Sequence, residues 1–230
     1  MVKYFKILNE KLNHNRFQYK EGLNIDTVPF NTKEYCGPGG LHFTNKKNIF
    51  HYLHLGTLIA DVKIPNNAKV YKYETAWKVD QIILSNIRLV EEFVSALTRK
   101  EIFEFIEVNA SIIRFVKEQT PELCLVAVKN SEAFQFVKEQ TPELCLFAVK
   151  QDGFSLRYVK EQTSEICLEA VKECGMSLQF VKKQTPSICY GAVKEDGNAL
   201  RFVKNRTSQI VFEAVKQSYL FASEVKKFLK

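Results

Sequence analysis

One cysteine and four histidines in the first quarter of the 230-residue chain are the side chains best suited to metal binding or catalysis. His14 comes first, and Cys36, His42, His51 and His54 follow with five, eight and two residues between them. Thiolate and imidazole groups ligate zinc, but this spacing matches no usual structural zinc pattern. No base stands beside Cys36 in the sequence to activate its thiol. We therefore expect no metal, no cofactor and no catalytic residue here.

An enzyme or small-ligand site assembled in space by this region is the alternative to that expectation. A polar pocket converging on Cys36, His42 or Trp77 would favour it, whereas a shallow head filled with apolar side chains would not. In that alternative the rest of the chain acts as a targeting arm.

The elements that must position these residues follow from hydrophobic alternation in residues 1–84. Strand-like stretches are Tyr4–Leu8, Leu41–Phe43, Leu58–Ile64 and Lys78–Leu84. Thr44 is placed to cap a helix over Asn45–Leu55. This pattern predicts a small α+β head domain at residues 1–84.

A repeated segment fills the remainder of the chain. Phe115–Lys129 returns at Phe136–Lys150, Tyr158–Lys172, Phe180–Lys194 and, more loosely, Phe202–Lys216, at steps of 21, 22, 22 and 22 residues. Phe93–Arg114 keeps the apolar pattern as a degenerate first unit, and Tyr219–Lys230 begins a last, incomplete one. We expect about six helix-pair repeats over residues 85–230, stacked as an all-α solenoid with a C-terminal cap.

Each unit carries signals for two short helices. A threonine and often a proline open the second helix, predicted over segments such as Pro142–Lys150, and the first is predicted over segments such as Ser155–Glu161. Gly153, Gly175 and Gly197 fit a connecting loop with positive φ. Helices this short are unstable alone, so the units must stack on one another.

Four cysteines recur at the repeat spacing, at positions 124, 145, 167 and 189. Equivalent positions in stacked repeats lie roughly 10 Å apart, beyond the ~7 Å Cα separation that a disulfide allows. We therefore expect buried free thiols, which favours a reducing compartment and a cytoplasmic location.

Charge and hydropathy exclude several classes of function. The net charge of +7 arises mainly from residues 1–84, and the lysines at 117, 138, 160, 182 and 204 stand largely beside glutamates. We expect a solvated lysine face rather than a nucleic-acid surface, with an acidic-partner surface as the sharper alternative. The longest apolar run in the repeats is about six residues, so membrane insertion is not expected.

Positions that vary between units are the candidate binding residues. After the Leu-Cys-Leu segment of the second helix come Val126, Phe147 and Glu169, and at a loop position we align Ala133, Phe154, Met176 and Asn198. Exposed phenylalanines at 147 and 154 would mark a contact patch with a protein partner. Packing against neighbouring units is the equal alternative for both.

Both halves resemble known families. The Phe115–Lys129 segment and its returns resemble a short repeat family of unknown function that is abundant in giant viruses of the mimivirus type. Asn15–Leu84 is similar to the N-terminal region of giant-virus ankyrin-repeat proteins, through Arg16–Tyr19, Gly22–Asn24, Pro29–Asn31, Cys36–Leu41 with Phe43-Thr44, and Trp77–Leu84. Neither family brings catalytic residues. The resemblance implies a viral protein-interaction scaffold acting on host or viral partners, and not an enzyme.

Overall fold

The computed structural model describes residues 3–14, 16–34 and 37–217. The chain forms two compact units, Met1–Lys117 and Glu118–Lys230. An antiparallel sheet dominates the first, and repeated helix pairs make up the described part of the second. Cys36 and the predicted last repeat at Tyr219–Lys230 lie outside the described residues.

The first unit contains a seven-stranded antiparallel sheet in which several neighbouring strands are not consecutive in the chain. Its strands are β1 (Tyr4–Leu8), β4 (Gly22–Ile25), β5 (Leu41–Asn45), β6 (Leu58–Lys63), β7 (Val70–Lys72), β8 (Trp77–Val79) and β9 (Gln81–Leu89), and β2 (Asn13–His14) pairs separately with β3 (Phe17–Gln18). The spatial order of the main sheet is β4-β9-β6-β1-β5-β8-β7. Buried apolar side chains such as Leu8, Phe43 and Ile82 form its core, as the alternation predicts.

Three predictions for the head need correction. The helix expected over Asn45–Leu55 is a shorter 3-10 helix, η1 (Ile49–Leu55), because Thr44 stays in β5 and donates its hydroxyl to the Thr75 carbonyl at 2.5 Å. The strand expected over Lys78–Leu84 is two strands, since the chain turns at Asp80. There the carboxylate accepts the Lys69 backbone N–H at 2.8 Å. The sheet itself continues to Leu89 rather than ending at residue 84.

Three helices follow the sheet within the first unit: α1 (Val90–Ser95), α2 (Arg99–Val108) and the 3-10 helix η2 (Ala110–Phe115). Thr98 caps α2 in a capping box with Glu101, and the Asn109 side chain caps η2. The next repeat has the same two caps, Thr120 and Asn130, and Asp152 and Asp196 take the place of the asparagine in two later ones. The degenerate first unit therefore keeps the capping signals of the repeat.

The second unit alternates α-helices with 3-10 helices. The elements are α3 (Pro121–Ala127), η3 (Ser131–Phe136), α4 (Pro142–Gln151), η4 (Gly153–Tyr158), α5 (Ser164–Glu173), η5 (Gly175–Phe180), α6 (Pro186–Glu195), η6 (Gly197–Phe202) and α7 (Ser208–Gln217). The predicted α-helical caps are confirmed: Thr141, Thr163 and Thr185 each accept the backbone N–H three residues later. The helix pairs expected from the repeat are thus present.

The first helix of each pair differs from the prediction in type and length. The segment expected to be helical over Ser155–Glu161 is the 3-10 helix Gly153–Tyr158, and Val159 is extended. The helix ends early because the Lys160 backbone N–H bonds the Gln140 side-chain oxygen of the preceding repeat, at 2.9 Å. That N–H is therefore engaged outside its own helix.

The four repeat-phased thiols are buried, as predicted. Cys124, Cys145, Cys167 and Cys189 are free and lie in one continuous apolar core with Ala148, Ala170 and the other recurring alanines. Burial raises the pKa of each of these thiols, because a thiolate loses its hydration there. They act as small apolar side chains rather than as nucleophiles.

The repeat glycines have a different role from the predicted one. Gly153 and Gly175 begin η4 and η5 without a positive φ. A Cβ on Gly153 would stand 2.5 Å from the Ala170 carbonyl oxygen, and one on Gly175 would stand 2.4 Å from that of Ala192. These glycines are required because the backbone of the next repeat approaches too closely for any side chain.

Glutamine side chains link each repeat to the next. The glutamine before the cap threonine donates its amide to one backbone carbonyl of the following repeat and accepts a backbone N–H two residues farther on. Gln162, for example, bonds the Phe180 carbonyl at 3.0 Å and the Lys182 N–H at 2.9 Å. Gln119, Gln140 and Gln184 make the same two bonds. We call these residues the glutamine clamps.

Two serines place polar groups in the apolar core of the described repeats. The hydroxyls of Ser155 and Ser177 are buried without a hydrogen-bond partner, at a position that Ala133 and Ala199 occupy in the sister repeats. A buried polar group with no partner destabilises the native state.

We expect Ser155→Ala and Ser177→Ala each to raise the free energy of unfolding by about 1 kcal/mol in urea titrations. A loss of stability in either variant would mean that the hydroxyl has a partner after all.

Candidate interaction surface

Three of the predicted binding residues occupy the sixth position of successive α-helices. Val126, Phe147 and Glu169 are all half-buried, and the Phe147 ring packs against the repeat core. Glu169 lies 2.6 Å from the Lys172 ammonium of its own helix and 3.9 Å from that of Lys150 on the preceding helix. The hydrogen bond from Lys172 lowers the pKa of this carboxylate below its usual value.

The sixth position faces the preceding α-helix in α5, α6 and α7. Glu213 accepts a hydrogen bond from the Tyr190 hydroxyl of the preceding helix at 3.2 Å. At Gly191, an added Cβ would meet Val171 and Leu168, also of the preceding helix. Variation at this position therefore changes how neighbouring helices pack, as well as what the surface displays.

The other two predicted residues lie on the 3-10 helices. Phe154 and Met176 are the second residues of η4 and η5, and both are half-buried. The Phe154 ring contacts that of Phe180 edge to face, with centroids 5.9 Å apart. Packing within the repeats thus accounts for the contacts of Phe147 and Phe154. Partner binding by the five residues stays a prediction.

The alignment of Ala133 with Phe154 is wrong. Ala133 is the third residue of η3, fully buried, and corresponds to Ser155. Glu132 takes the position equivalent to Phe154. The register shifts by one because this repeat has one residue fewer between Lys129 and Ser131: Lys129 and Lys150 are 21 residues apart, whereas Ser131 and Gly153 are 22 apart.

An exposed apolar row runs one position earlier on each α-helix, and sequence reasoning missed it. We call it the outer stripe, and its members are Leu125, Leu146, Leu168, Tyr190 and Phe212. Leu125 and Phe212 are 42% and 61% exposed, and the middle three are half-buried against the core. The signal was hidden because an apolar residue beside Cys and Ala in every repeat resembles core.

Charged side chains border the outer stripe on the same helix faces. Four residues after each stripe position comes an exposed lysine: Lys129, Lys150, Lys172, Lys194 and Lys216. Three residues before it come exposed glutamates at 122, 143 and 165, but Ser187 and Gln209 in the last two helices. Lysines therefore dominate the border at the α6–α7 end of the stripe.

A second set of lysines, at positions 117, 138, 160, 182 and 204, was expected to form a solvated face, but two of them make contacts within the repeats. The Lys160 ammonium donates to the Val137 and Lys138 carbonyls at 3.2 and 2.8 Å, and Lys182 donates to Val159 and Lys160 at 3.3 and 2.8 Å. These side chains reach back to the preceding repeat and stabilise the stack. They complement the glutamine clamps, which reach forward.

The histidines of the first unit do not form a metal site in the described part of the chain. His14, His42 and His54 line a common cavity, whereas His51 is exposed outside it. Trp77 packs against the rings of Tyr4 and Phe43. Within the residues that the structure describes, no helix has the length and apolarity needed to cross a bilayer.

Comparison with known proteins finds a family model that matches part of the repeats and several viral relatives. A family model described as a domain of unknown function, DUF4116, matches residues 141–185 and 163–207. The uncharacterized protein R869 of Acanthamoeba polyphaga mimivirus is 50% identical over 64 residues, which cover 27% of this chain and 46% of that protein. No solved structure matches the chain.

Two further relatives from the same virus are named putative ankyrin repeat proteins. R896 is 42% identical over 62 residues, covering 26% of this chain and 19% of its own length. R868 is 42% identical over 64 residues, covering 27% of this chain and 32% of its own length. The chain thus spans less than half of each of these relatives, and it is similar to mimivirus repeat proteins and to a repeat-type domain of unknown function.

Proposed function

We propose that this chain is a viral protein-interaction scaffold, in which an α-solenoid of helix pairs displays the outer stripe to a protein partner. The observation that supports this proposal most directly is the outer stripe. It consists of apolar side chains on the five α-helices α3 to α7, is exposed at both ends, and is bordered by charged side chains. Exposed apolar rows with a polar rim are typical of protein-binding surfaces.

The border charges define the partner's chemistry. An apolar segment can lie along the stripe, and the lysines at the α6–α7 end, where the glutamates are replaced by Ser187 and Gln209, favour acidic residues on the partner there. Glu169 and Glu213 neutralise part of the lysine row. We therefore expect an amphipathic polypeptide with acidic residues at one end.

Support for the remaining parts of the proposal is of three kinds. The mimivirus relatives support a viral origin, and their ankyrin-repeat names support an interaction role. The buried free thiols fit a reducing compartment, for which we propose the host cytoplasm. The repeat core carries no reactive thiol, so we propose a binding role rather than an enzymatic one for the solenoid.

Site-specific photo-crosslinking tests the scaffold proposal. A benzophenone amino acid replaces Leu125 or Phe212, and, as a matched control, the exposed Arg157 of η4. In lysate of mimivirus-infected Acanthamoeba we expect one set of proteins to crosslink from 125 and 212 but not from 157. Unlabelled wild-type chain should compete, and the Leu125→Glu/Phe212→Glu double variant should compete about tenfold less well. Equal crosslinking from residue 157, or equal competition by the double variant, would contradict the proposal.

A further inference from the structure

A cavity of about 400 Å³ lies in the first unit where β1 and β5 separate. The two strands pair at Tyr4↔Asn45 and Phe5↔Thr44, and beyond this point residues of both strands line the space. Apolar side chains form much of its wall: Phe5, Ile7, Phe43, Ile49 and Leu55. A cavity of this size and lining accommodates a small molecule with an apolar body.

Lys6 supplies a buried cation to this cavity. Lys6 is only 4% exposed. Its Nζ donates a hydrogen bond to the His42 carbonyl at 2.7 Å and lies 4.5 Å from the centre of the Tyr19 ring. An ammonium group has three N–H donors, and the described residues supply one oxygen acceptor. Burial lowers the pKa of Lys6 to about 7, which reflects the cost of removing the charge from water.

The titratable groups around Lys6 are mainly basic. His14 and His54 line the same cavity, and the pKa of His14 is lowered first by burial and then by repulsion from Lys6 and His54. Among the described lining residues there is no aspartate or glutamate. The carboxylate of Asp26 acts on Tyr19, whose pKa burial and that charge raise, but it accepts the backbone N–H groups of Val28 and Gly40.

Lys78 shows what a buried lysine with a purely structural role looks like in the same unit. It is fully buried, and its Nζ donates to two carbonyls, those of Glu34 and Gly37, each at 3.0 Å. It is not among the described residues that line the cavity. Lys6 differs in facing an apolar space with fewer acceptors, and this difference points to a ligand.

We propose that the cavity binds a small organic carboxylate with an apolar body, such as a medium-chain fatty acid, and that the Lys6 ammonium pairs with the carboxylate. The carboxylate would occupy the hydrogen-bonding capacity that the His42 carbonyl leaves on Nζ, and the imidazoles of His14 and His54 line the same cavity as further hydrogen-bonding groups. The apolar wall covers the hydrocarbon chain. A phosphate or sulfate ion would leave that wall uncovered, so the apolar body is part of the recognition.

Calorimetric titration of the full chain with three ligands of one chain length tests the charge requirement. We expect decanoate to bind, decanol to bind about tenfold more weakly or worse, and decylamine not to bind, because only the carboxylate forms a charge-assisted hydrogen bond with Lys6. Equal affinities for decanoate and decanol, or no binding of decanoate, would overturn the proposal. This test uses the wild-type protein, so it does not depend on any variant folding.

Variants then locate the binding. Lys6→Met should weaken decanoate binding about tenfold or more while leaving decanol binding unchanged, since it removes the charge and keeps the side-chain length. His54→Gln should weaken decanoate binding by a smaller factor, and His51→Gln, on the same 3-10 helix but outside the cavity, should have no effect. Unchanged decanoate binding in a folded Lys6→Met variant would also overturn the proposal.

Discussion

Gly175→Ala is expected to destabilise the repeats by about 1–3 kcal/mol, the range typical of overpacking a tight contact. The added methyl group would stand 2.4 Å from the Ala192 carbonyl oxygen and 2.9 Å from the Asp196 backbone nitrogen. Both atoms belong to backbone, so no side-chain rotation relieves the clash. The adjacent repeat would have to move away, and apolar contacts between the two layers would be lost. Urea denaturation followed by circular dichroism measures the loss.

Gly191→Ala is the matched control, because it makes the same change in the adjacent repeat. There the added methyl group meets Val171 at 3.6 Å and Leu168 at 4.0 Å, which are ordinary van der Waals distances. Gly191 lies inside α6, where alanine is the better helix former, so we expect a gain of about 0.5–1 kcal/mol. A Gly175→Ala variant as stable as wild type would show that the repeats are not packed backbone to backbone.

Features of the repeat that depend on local sequence signals could be predicted, whereas features that depend on contacts between repeats could not. Thr141 and Pro142 mark the start of a helix through their own backbone, so the α-helices follow from the sequence. Gly153 is required because Ala170 of the next repeat lies close to it, which a local sequence pattern does not reveal. The sequence suggested a positive φ instead, because that is the usual reason for a glycine in a loop. The end of η4 at Tyr158 likewise depends on a bond from the Lys160 backbone N–H to the Gln140 side chain.

The head shows the same division. Alternation within five residues defined β1, and its bounds Tyr4–Leu8 were predicted correctly. A small-ligand pocket at His42 was the alternative that the sequence left open, and His42 lines the cavity. Lys6 was not named for it, because its place there depends on how β1 and β5 pair across more than thirty residues and on the direction of its side chain. In a strand pattern, one lysine among apolar residues resembles an exposed position. Only its burial identifies it as a candidate ligand group.

Gln162→Met is expected to cost about 2–3 kcal/mol, because it removes one clamp while keeping the side chain's length. The Phe180 and Leu156 carbonyls lose a donor, and the Lys182 N–H and the Cys167 thiol lose an acceptor. Two of these groups belong to the next repeat, so the loss falls on the contact between layers. Amide hydrogen exchange at Lys182 should accelerate strongly, and the urea midpoint should fall.

Asn205→Ala is the control for this clamp. Asn205 lies one position before Arg206, which takes the place of the glutamine in the last described repeat. Asn205 is exposed, so its truncation should change stability by less than about 0.5 kcal/mol. Because repeats are stabilised by their neighbours, a weakened Gln162 contact should also separate unfolding into two transitions, with α6 and α7 melting first. A single unshifted transition, with Lys182 exchange as slow as in wild type, would show that the clamp does not couple the repeats.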